Sequence, residues 1–346
     1  MTRPEALAKE ELLEWSTGLG TDVWDMFCAA ITGDVETIKK LLDKDPSLVR
    51  SAYDYRNPLS FAVQENQLEA AALLLERGAS PVSSGTNDTL LTIARDRGYA
   101  AMQMLLKAAI AGPYKDAPNG NEIAEAIKER NLEKVKGLLE ESPRLVNARD
   151  EGTNCPIHWA VMTRQPDMID ELLARGADIN AQRSDGARPL QLVNGDYGFR
   201  GWMKDFPVTP MEVLTQLRTK GAYVDICTAC AIGDIDRVKE LLDEDPSLAN
   251  KVSDYVSYYI GSGAPLKNAA ARGHIEIVRL LLERSADPNL REEGIAPMGH
   301  ALYSAVTYGH IEIVRLLLEH GAFPSPAVES SADALSIYPG NFPPVK

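Results

Sequence analysis

The sequence predicts an all-α solenoid, in which stacked helix-turn-helix units share one continuous apolar core. Three observations carry this. The phrase Gly273–Asn289 returns almost unchanged 36 residues later, as Gly309–Ala322, and a fixed period of that size marks a repeat protein. Leucines closing each second helix recur at Leu41, Leu74, Leu105, Leu138, Leu172, Leu217, Leu241, Leu281 and Leu317, with gaps of 33, 31, 33, 34, 45, 24, 40 and 36 residues. Within the phrase, Ile275, Val278, Leu281 and Leu282 follow i, i+3, i+6, i+7 spacing, which is one helical face.

The elements follow in order. Residues 1–24 form an expected N-terminal capping segment, because a terminal repeat would otherwise expose its core face. Within it Glu5–Trp15 is helix-prone, with Leu7, Leu12, Leu13 and Trp15 on an apolar side, and Trp15 and Trp24 read as cap packing. Residues 25–323 hold about nine repeats of a dominant 33-residue unit. A longer period lies above it: Leu41–Val49 recurs as Leu138–Val146 and Leu241–Ala249, at offsets of 97 and 103. The array therefore divides into three modules of three, with boundaries near 119 and 224.

Local chemistry supports each turn. Pro58, Pro156, Pro189 and Pro265 suit the first turn of an inner helix, where a missing N–H is harmless. Gly78, Gly176, Gly221 and Gly321 stand where a helix end needs a left-handed residue. Gly33, Gly233, Gly273 and Gly309 mark the tight turns between paired helices. Two stretches break the rhythm. Val193–Pro210, with its insertion at 194–209, separates the helices of the sixth repeat and is too rich in Gly, Pro and Asp for helix. Residues 252–263 lengthen the turn into the eighth repeat, and Ala52–Asn57 is a shorter relative of that loop. After Phe323, residues 324–346 form a C-terminal tail or the opening of a tenth repeat.

Composition narrows the function classes. A net charge of −14 and a pI near 4.9 argue against nucleic acid and anionic membrane surfaces. They favour a basic or mixed-charge partner. No apolar run approaches a membrane span, and no signal core follows the charged run Lys9-Glu10-Glu11, so a cytoplasmic monomer is expected. Four cysteines are too few for a disulfide framework, and Cys227-Thr-Ala-Cys230 without a second Cys/His pair reads as structural. No nucleophile elbow, phosphate loop, dinucleotide fingerprint or metal motif is present, so no catalytic residue, metal or cofactor is assigned.

The segment Cys155-Pro156-Ile157-His158-Trp159-Ala160, the helix pairs and the Gly-Ala stops resemble the ankyrin-repeat family. The resemblance implies a β-turn and two antiparallel helices per unit, and a structural histidine at His158 that bonds between adjacent turns. It also implies ligand contacts from turn tips and the inner face of each first helix. The expected function is a non-enzymatic protein-interaction module that binds on its concave face and inserted loops. Phe61, Trp159 and Arg164 are the candidates in the groove, and Tyr197, Arg200, Trp202, Tyr255, Tyr258 and Tyr259 those on the two loops. Aromatic side chains suit such surfaces because they offer large contact area with few rotors to freeze. The alternative is a small-molecule site or unrecognised enzyme covered by the 194–206 and 252–263 loops.

Overall fold

The computed structural model describes residues 2–13, 16–54, 56–82, 89–112, 117–196, 199–255, 259–292 and 300–324. Among these residues the structure is helix and turn, with isolated bridges at Leu12↔Leu19, Tyr53↔Arg56 and Asn119↔Arg149 and no strand. None of the described helices is long and apolar enough to cross a membrane. The chain clusters into two compact units, one of Asp22–Tyr223 with Tyr258–Ile260, the other of Met1–Thr21, Val224–Ser257 and Gly261–Lys346.

The first unit stacks helix pairs α1 (Gly20–Thr32, all but its first two residues) and α2 (Val35–Lys44), α3 (Pro58–Gln64) and α4 (Leu68–Glu76), and α5 (Leu90–Asp96) and α6 (Ala100–Ala111). It continues with α7 (Asn121–Lys128) and α8 (Leu132–Glu141), and α9 (Pro156–Met162) and α10 (Pro166–Ala174). A 3-10 turn, Pro189–Leu192, then stands where an inner helix is expected, before α11 (Pro210–Thr219). The second unit holds α12 (Ile226–Ile232) and α13 (Ile235–Glu244), α14 (Pro265–Ala271) and α15 (Ile275–Glu283), and α16 (His300–Thr307) and α17 (Ile311–Glu319).

Each outer helix is amphipathic for the expected reason. α15 buries Ile277, Val278, Leu281 and Leu282 while Glu276 and Arg279 face water. Ile277 thus joins the predicted stripe, and Ile275 is only half-buried. Such burial stabilises by roughly 1.5–3 kcal/mol for each large side chain. The inner helix α9 is apolar nearly all round and every residue in it is buried, whereas α7 leaves Asn121, Glu122 and Glu125 exposed.

Outer helices other than α6 end in two ways. Gly78, Gly176, Gly221 and Gly321 take φ of 96°, 89°, 87° and 85°, and Ser285 at 65° fills the same place before Ala286. The other stop is a residue before proline, which steric crowding pushes out of the helical region. Asp45, Ser142 and Asp245 are so placed, each followed by a 3-10 turn, Pro46–Arg50, Pro143–Asn147 and Pro246–Asn250. The Asp45 and Asp245 carboxylates accept from the Ser47 and Ser247 backbone N–H groups at 2.9 Å. This second stop is the physical content of the longer sequence period.

At α4, α10, α15 and α17 neighbouring pairs are tied through the residue that opens the outer helix. Gln67 and Gln165 donate to the carbonyls of Ile31 (2.8 Å) and Ile127 (2.7 Å), at the end of the preceding inner helix. The His274 ring lies over Gly233 and the His310 ring over Gly273, so close that a Cβ on Gly273 would stand 2.8 Å from His310 Cε1. A Cβ on Gly309 would meet nothing within 4 Å. His158 ties turns together instead. Its Nδ1 accepts from Cys155 N–H at 2.9 Å, which leaves Nε2 to donate to the Ala181 carbonyl at 3.0 Å.

Two expectations change. The described part of the Glu5–Trp15 segment, Glu5–Leu13, is not a continuous helix: only Ala6–Ala8 form a 3-10 turn, and the Leu12↔Leu19 bridge folds the chain back before Gly20 opens α1. This segment clusters in the second unit, where the Arg291 guanidinium donates to the Ser16 carbonyl at 2.7 Å. The inner helix of the interrupted pair shortens to Pro189–Leu192 because the chain leaves it at Asn194-Gly195, where Gly195 adopts φ 90°. Trp15 and the tail from 325 lie outside the described residues.

Gly273→Ala and Gly309→Ala separate backbone strain from steric contact, because both glycines share φ near 75°. We expect about 1 kcal/mol of destabilisation for Gly309→Ala from strain alone, and about 2 kcal/mol or more for Gly273→Ala, in urea melts. Equal losses would remove the His310 contact from the account. Burial, followed by the Arg183 charge, pushes the His158 pKa down to about 3. The unfolded chain therefore takes up this proton first, near pH 6.5. The stabilisation from neutral His158 is complete above that pH and is lost progressively as pH falls toward 3. His300, pushed to about 3 by burial, adds the same slope in the second unit. His158→Gln is expected to be less stable at pH 7 and to show a shallower loss between pH 6.5 and 4; an unchanged slope would contradict this.

Candidate functional site

The most irregular surface of the first unit is the insertion between Pro189–Leu192 and α11. It leaves the 3-10 turn through Gly195, where a Cβ would lie 2.1 Å from the Phe199 carbonyl oxygen. Any other residue would open the loop. Asp196 closes it, donating its N–H to the Phe199 carbonyl (2.8 Å) and accepting from Phe199 N–H through Oδ1 (2.6 Å). A second short 3-10 turn, Gly201–Met203, follows.

This path lays Phe199 and Phe206 against the inner helix α9. Trp159 meets the edge of Phe199 at 5.6 Å between centroids, and Phe199 stacks on Phe206 at 6.4 Å. The Trp159 indole N–H donates to Asp150 Oδ2 at 2.6 Å, and Lys128 Nζ sits 4.1 Å over the ring. Arg130 and Arg164 each place Cζ 5.4 Å from the Phe206 centroid, and Lys204 Nζ lies 6.0 Å from that of Phe199. Arg164 is buried, and its guanidinium donates to the Gly201 carbonyl at 2.8 Å. Burial lowers its pKa. Cations against ring faces are attracted by the ring quadrupole, more strongly where water is excluded.

Beside the rings lies a buried charge hub centred on Arg183. Its guanidinium donates to Asn154 Oδ1 (2.9 Å), Asp196 Oδ2 (2.5 Å), both Asp185 oxygens and the Tyr259 hydroxyl (2.6 Å). Tyr259 in turn donates to Asp185 Oδ2 at 2.7 Å. Burial alone would lower the Arg183 pKa, but Asp185, Tyr259 and Asp196 outweigh it and hold the group firmly charged. Burial likewise works to raise Asp185, and the Arg183 charge and hydrogen bonds reverse the direction. Burial, countered by Arg183 but joined by Asp185, raises the Tyr259 pKa, so its proton stays on. One cation is matched by two carboxylates, and the hub holds the 194–206 insertion and Tyr259 to the repeats.

The second unit carries an independent knot. The Tyr255 hydroxyl donates to Asp225 Oδ2 and meets Thr228 Oγ1, both at 3.0 Å, while Asp225 Oδ1 caps α12 through Thr228 N–H at 2.7 Å. Cys227 and Cys230 are buried free thiols whose pKa values burial raises, so neither is poised as a thiolate. Among the described residues no group of His, Cys, Asp or Glu could hold a metal ion.

The structure therefore gathers some predicted residues and separates others. Trp159 and Arg164 share one cluster; Phe61 lies elsewhere on α3, tilted against Phe27 at 5.0 Å with Arg56 5.7 Å above it. Tyr255 and Tyr259 fall in different units. Phe61, Trp159, Arg164, Tyr255 and Tyr259 are all buried, so their side chains hold loops and helices together and offer little free area. Arg200 is half-buried. Tyr197, Tyr258 and the Trp202 side chain lie outside the described residues. Sequence reasoning missed Arg183, Asp185, Asp196, Lys128, Arg130, Phe199 and Phe206. The arginines had a signal, since Arg130 and Arg164 occupy turn positions that are glycine in other pairs.

Comparison with known proteins is consistent with this architecture. The family description "Ankyrin repeats (3 copies)" matches residues 26–118 and 226–327, and "Ankyrin repeat" matches 154–184. The chain is similar to E3 ubiquitin-protein ligase XB3 of Oryza sativa subsp. japonica, at 28% identity over 196 residues, covering 52% of this chain and 41% of the relative. Ankyrin repeat protein nuc-2 of Neurospora crassa is 23% identical over 303 residues, covering 81% and 27%. Ankyrin repeat and KH domain-containing protein mask-1 of Caenorhabditis elegans is 30% identical over 283 residues, covering 75% and 10%. The chain spans less than half the length of each of these relatives. With paired helices, glycine-stopped turns and family matches over more than half its length, the chain belongs to the ankyrin-repeat family.

Proposed function

We propose that this chain is a non-enzymatic protein-interaction module of the cytoplasm, whose partner contacts lie on the insertion and the turn tips beside it. The observation that supports this most is the exposed rim of the insertion. Met203 (65% exposed), on the insertion, and Met211 (59% exposed), in the first turn of α11, flank the half-buried Phe206 along the chain. Large apolar side chains left in water on a rigidly held loop suit contact with another protein, and methionine adapts to varied shapes. Rigidity comes from below, through Arg183, Trp159 and Gly195, so little ordering is needed on binding.

The small-molecule reading gains less support. Beside the insertion Trp159, Phe199, Phe206 and Arg164 pack on one another. Arg183, Asp185 and Asp196 are mutually paired, which leaves no poised acid or base there. The four free cysteines suit a reducing compartment.

Replacing Met203 and Met211 together by Glu is expected to change stability by no more than about 0.5 kcal/mol each, since both are exposed. Affinity capture from lysate with mass spectrometry should then lose partners that the parent chain retains, whereas Tyr308→Glu, in the second unit, should keep them. If the double variant retains every partner, the insertion is not the contact face.

A further inference from the structure

The turn between paired helices needs one residue at positive φ. Gly33, Gly98, Gly233, Gly273 and Gly309 provide it at 73–78°, and Asn66 at 55°. Arg130 (59°) and Arg164 (49°) hold the same place in two successive pairs. A non-glycine residue there costs roughly 1–2 kcal/mol of backbone strain, which persists only where the surroundings enforce it. Strain of this kind concentrates at functional sites, and both side chains converge on Phe206 at 5.4 Å.

The two guanidiniums are also short of counter-charge. Arg130 donates to the Thr163 carbonyl (2.7 Å) and Arg164 to that of Gly201 (2.8 Å), both neutral acceptors. Arg164 Nε is buried with no hydrogen-bond partner. Of the neighbouring acids, Glu125 pairs with Lys128 at 2.7 Å and Glu129 with Lys134 at 3.9 Å, while Asp205 lies exposed between Lys204 and Phe206 in the chain. Among the described residues no carboxylate pairs with Arg130, Arg164 or the exposed Lys204. This is notable in a chain with 50 acidic and 36 basic side chains. For Arg164, which is buried, the missing counter-ion is costly, and an anion arriving from outside relieves that cost; Arg130 is exposed and presents its charge to solvent.

We infer that the Phe199–Phe206 surface, edged by Arg130 and Lys204 and backed by Arg164, docks an acidic segment of a partner protein, rich in Asp or Glu and carrying an apolar residue. This rests on the interaction-module reading and names its partner class. Charge complementarity gives the acidic character; the apolar residue answers Met203, Met211 and the half-buried Phe206, which a lone inorganic anion would leave in water. The sign is opposite to that suggested by the whole-chain charge of −14, because the local arrangement decides what binds here.

The test is peptide display against the full chain, followed by titration of the selected peptides. Enrichment of Asp/Glu-rich sequences with an apolar residue is expected. Their affinity should fall by at least about tenfold in an Arg130→Gly/Lys204→Gln double variant, and should weaken with added salt. Arg130→Gly suits this purpose because glycine is native to equivalent turns, and thermal melting checks that the fold persists. Selection of basic or neutral peptides, or of acidic peptides that bind both proteins equally, overturns the inference and leaves the module reading standing. Inorganic phosphate that binds in a variant-sensitive manner while no peptide is selected makes this a free-anion site and also overturns it. Absence of any peptide, with partners still captured from lysate, overturns the acidic site alone. If lysate capture fails as well, both readings fall.

Discussion

The spacing of the pairs is set most directly by a contact that recurs at α4, α10, α15 and α17: the side chain opening the outer helix reaches back to the end of the preceding inner helix, whereas Asp34, Asn131 and Asp234 cap their own helices. Gln67 to Ile31 and Gln165 to Ile127 show the hydrogen-bonded form, and His274 and His310 lie flat over Gly233 and Gly273. The accepting carbonyls lie where neighbouring pairs meet, and a side-chain donor there replaces the water they lose. The reaching side chain satisfies them and sets the spacing of the pairs. Leucine packing supplies most of the energy, but it is non-directional and would tolerate a slipped neighbour.

The insertion is held by a different principle. Arg183, Asp185, Asp196 and Tyr259 lie in the interior, where each alone would be expensive and together they cancel. Replacing the set with apolar residues could pack the space, yet it would lose the directional bonds that fix the loop path from Gly195 to Phe206. Specificity of geometry, more than net stability, is what a buried charged set of this kind contributes. The rings above it then stand on a platform that does not shift.

Much of this architecture was legible in the sequence because it depends on local periodicity. Leucine spacing gave the pairs and Gly-Ala gave one kind of stop, the Leu41–Val49 period marked the place of the other without its cause, and the family resemblance implied the role of His158. Glu5–Trp15 misled because its residues favour helix, whereas the Leu12↔Leu19 bridge and the Arg291–Ser16 bond dictate an extended return. The site was legible only in part. Aromatic residues in an insertion look alike whether they point out or in, and Trp159 and Tyr259 are held inside by Asp150, Asp185 and Arg183, partners up to 76 residues away in sequence. Hydropathy carries no information on such pairings. Arginine at a glycine turn was visible all along, but it acquires meaning only once Phe206 is seen between two of them.

The Tyr259–Arg183 bond has a temporal consequence. Helix pairs in a repeat array form from nearby residues and close early, as the chain leaves the ribosome. The Arg183 hub cannot, since one of its members is made 76 positions later. Until then Arg183, Asp185 and Asp196 must stay hydrated, and the insertion hangs on a half-assembled support. Maturation of the ring-bearing surface is thereby tied to late synthesis, and a chain cut short before Tyr259 would carry well-formed helices beneath an unfinished face.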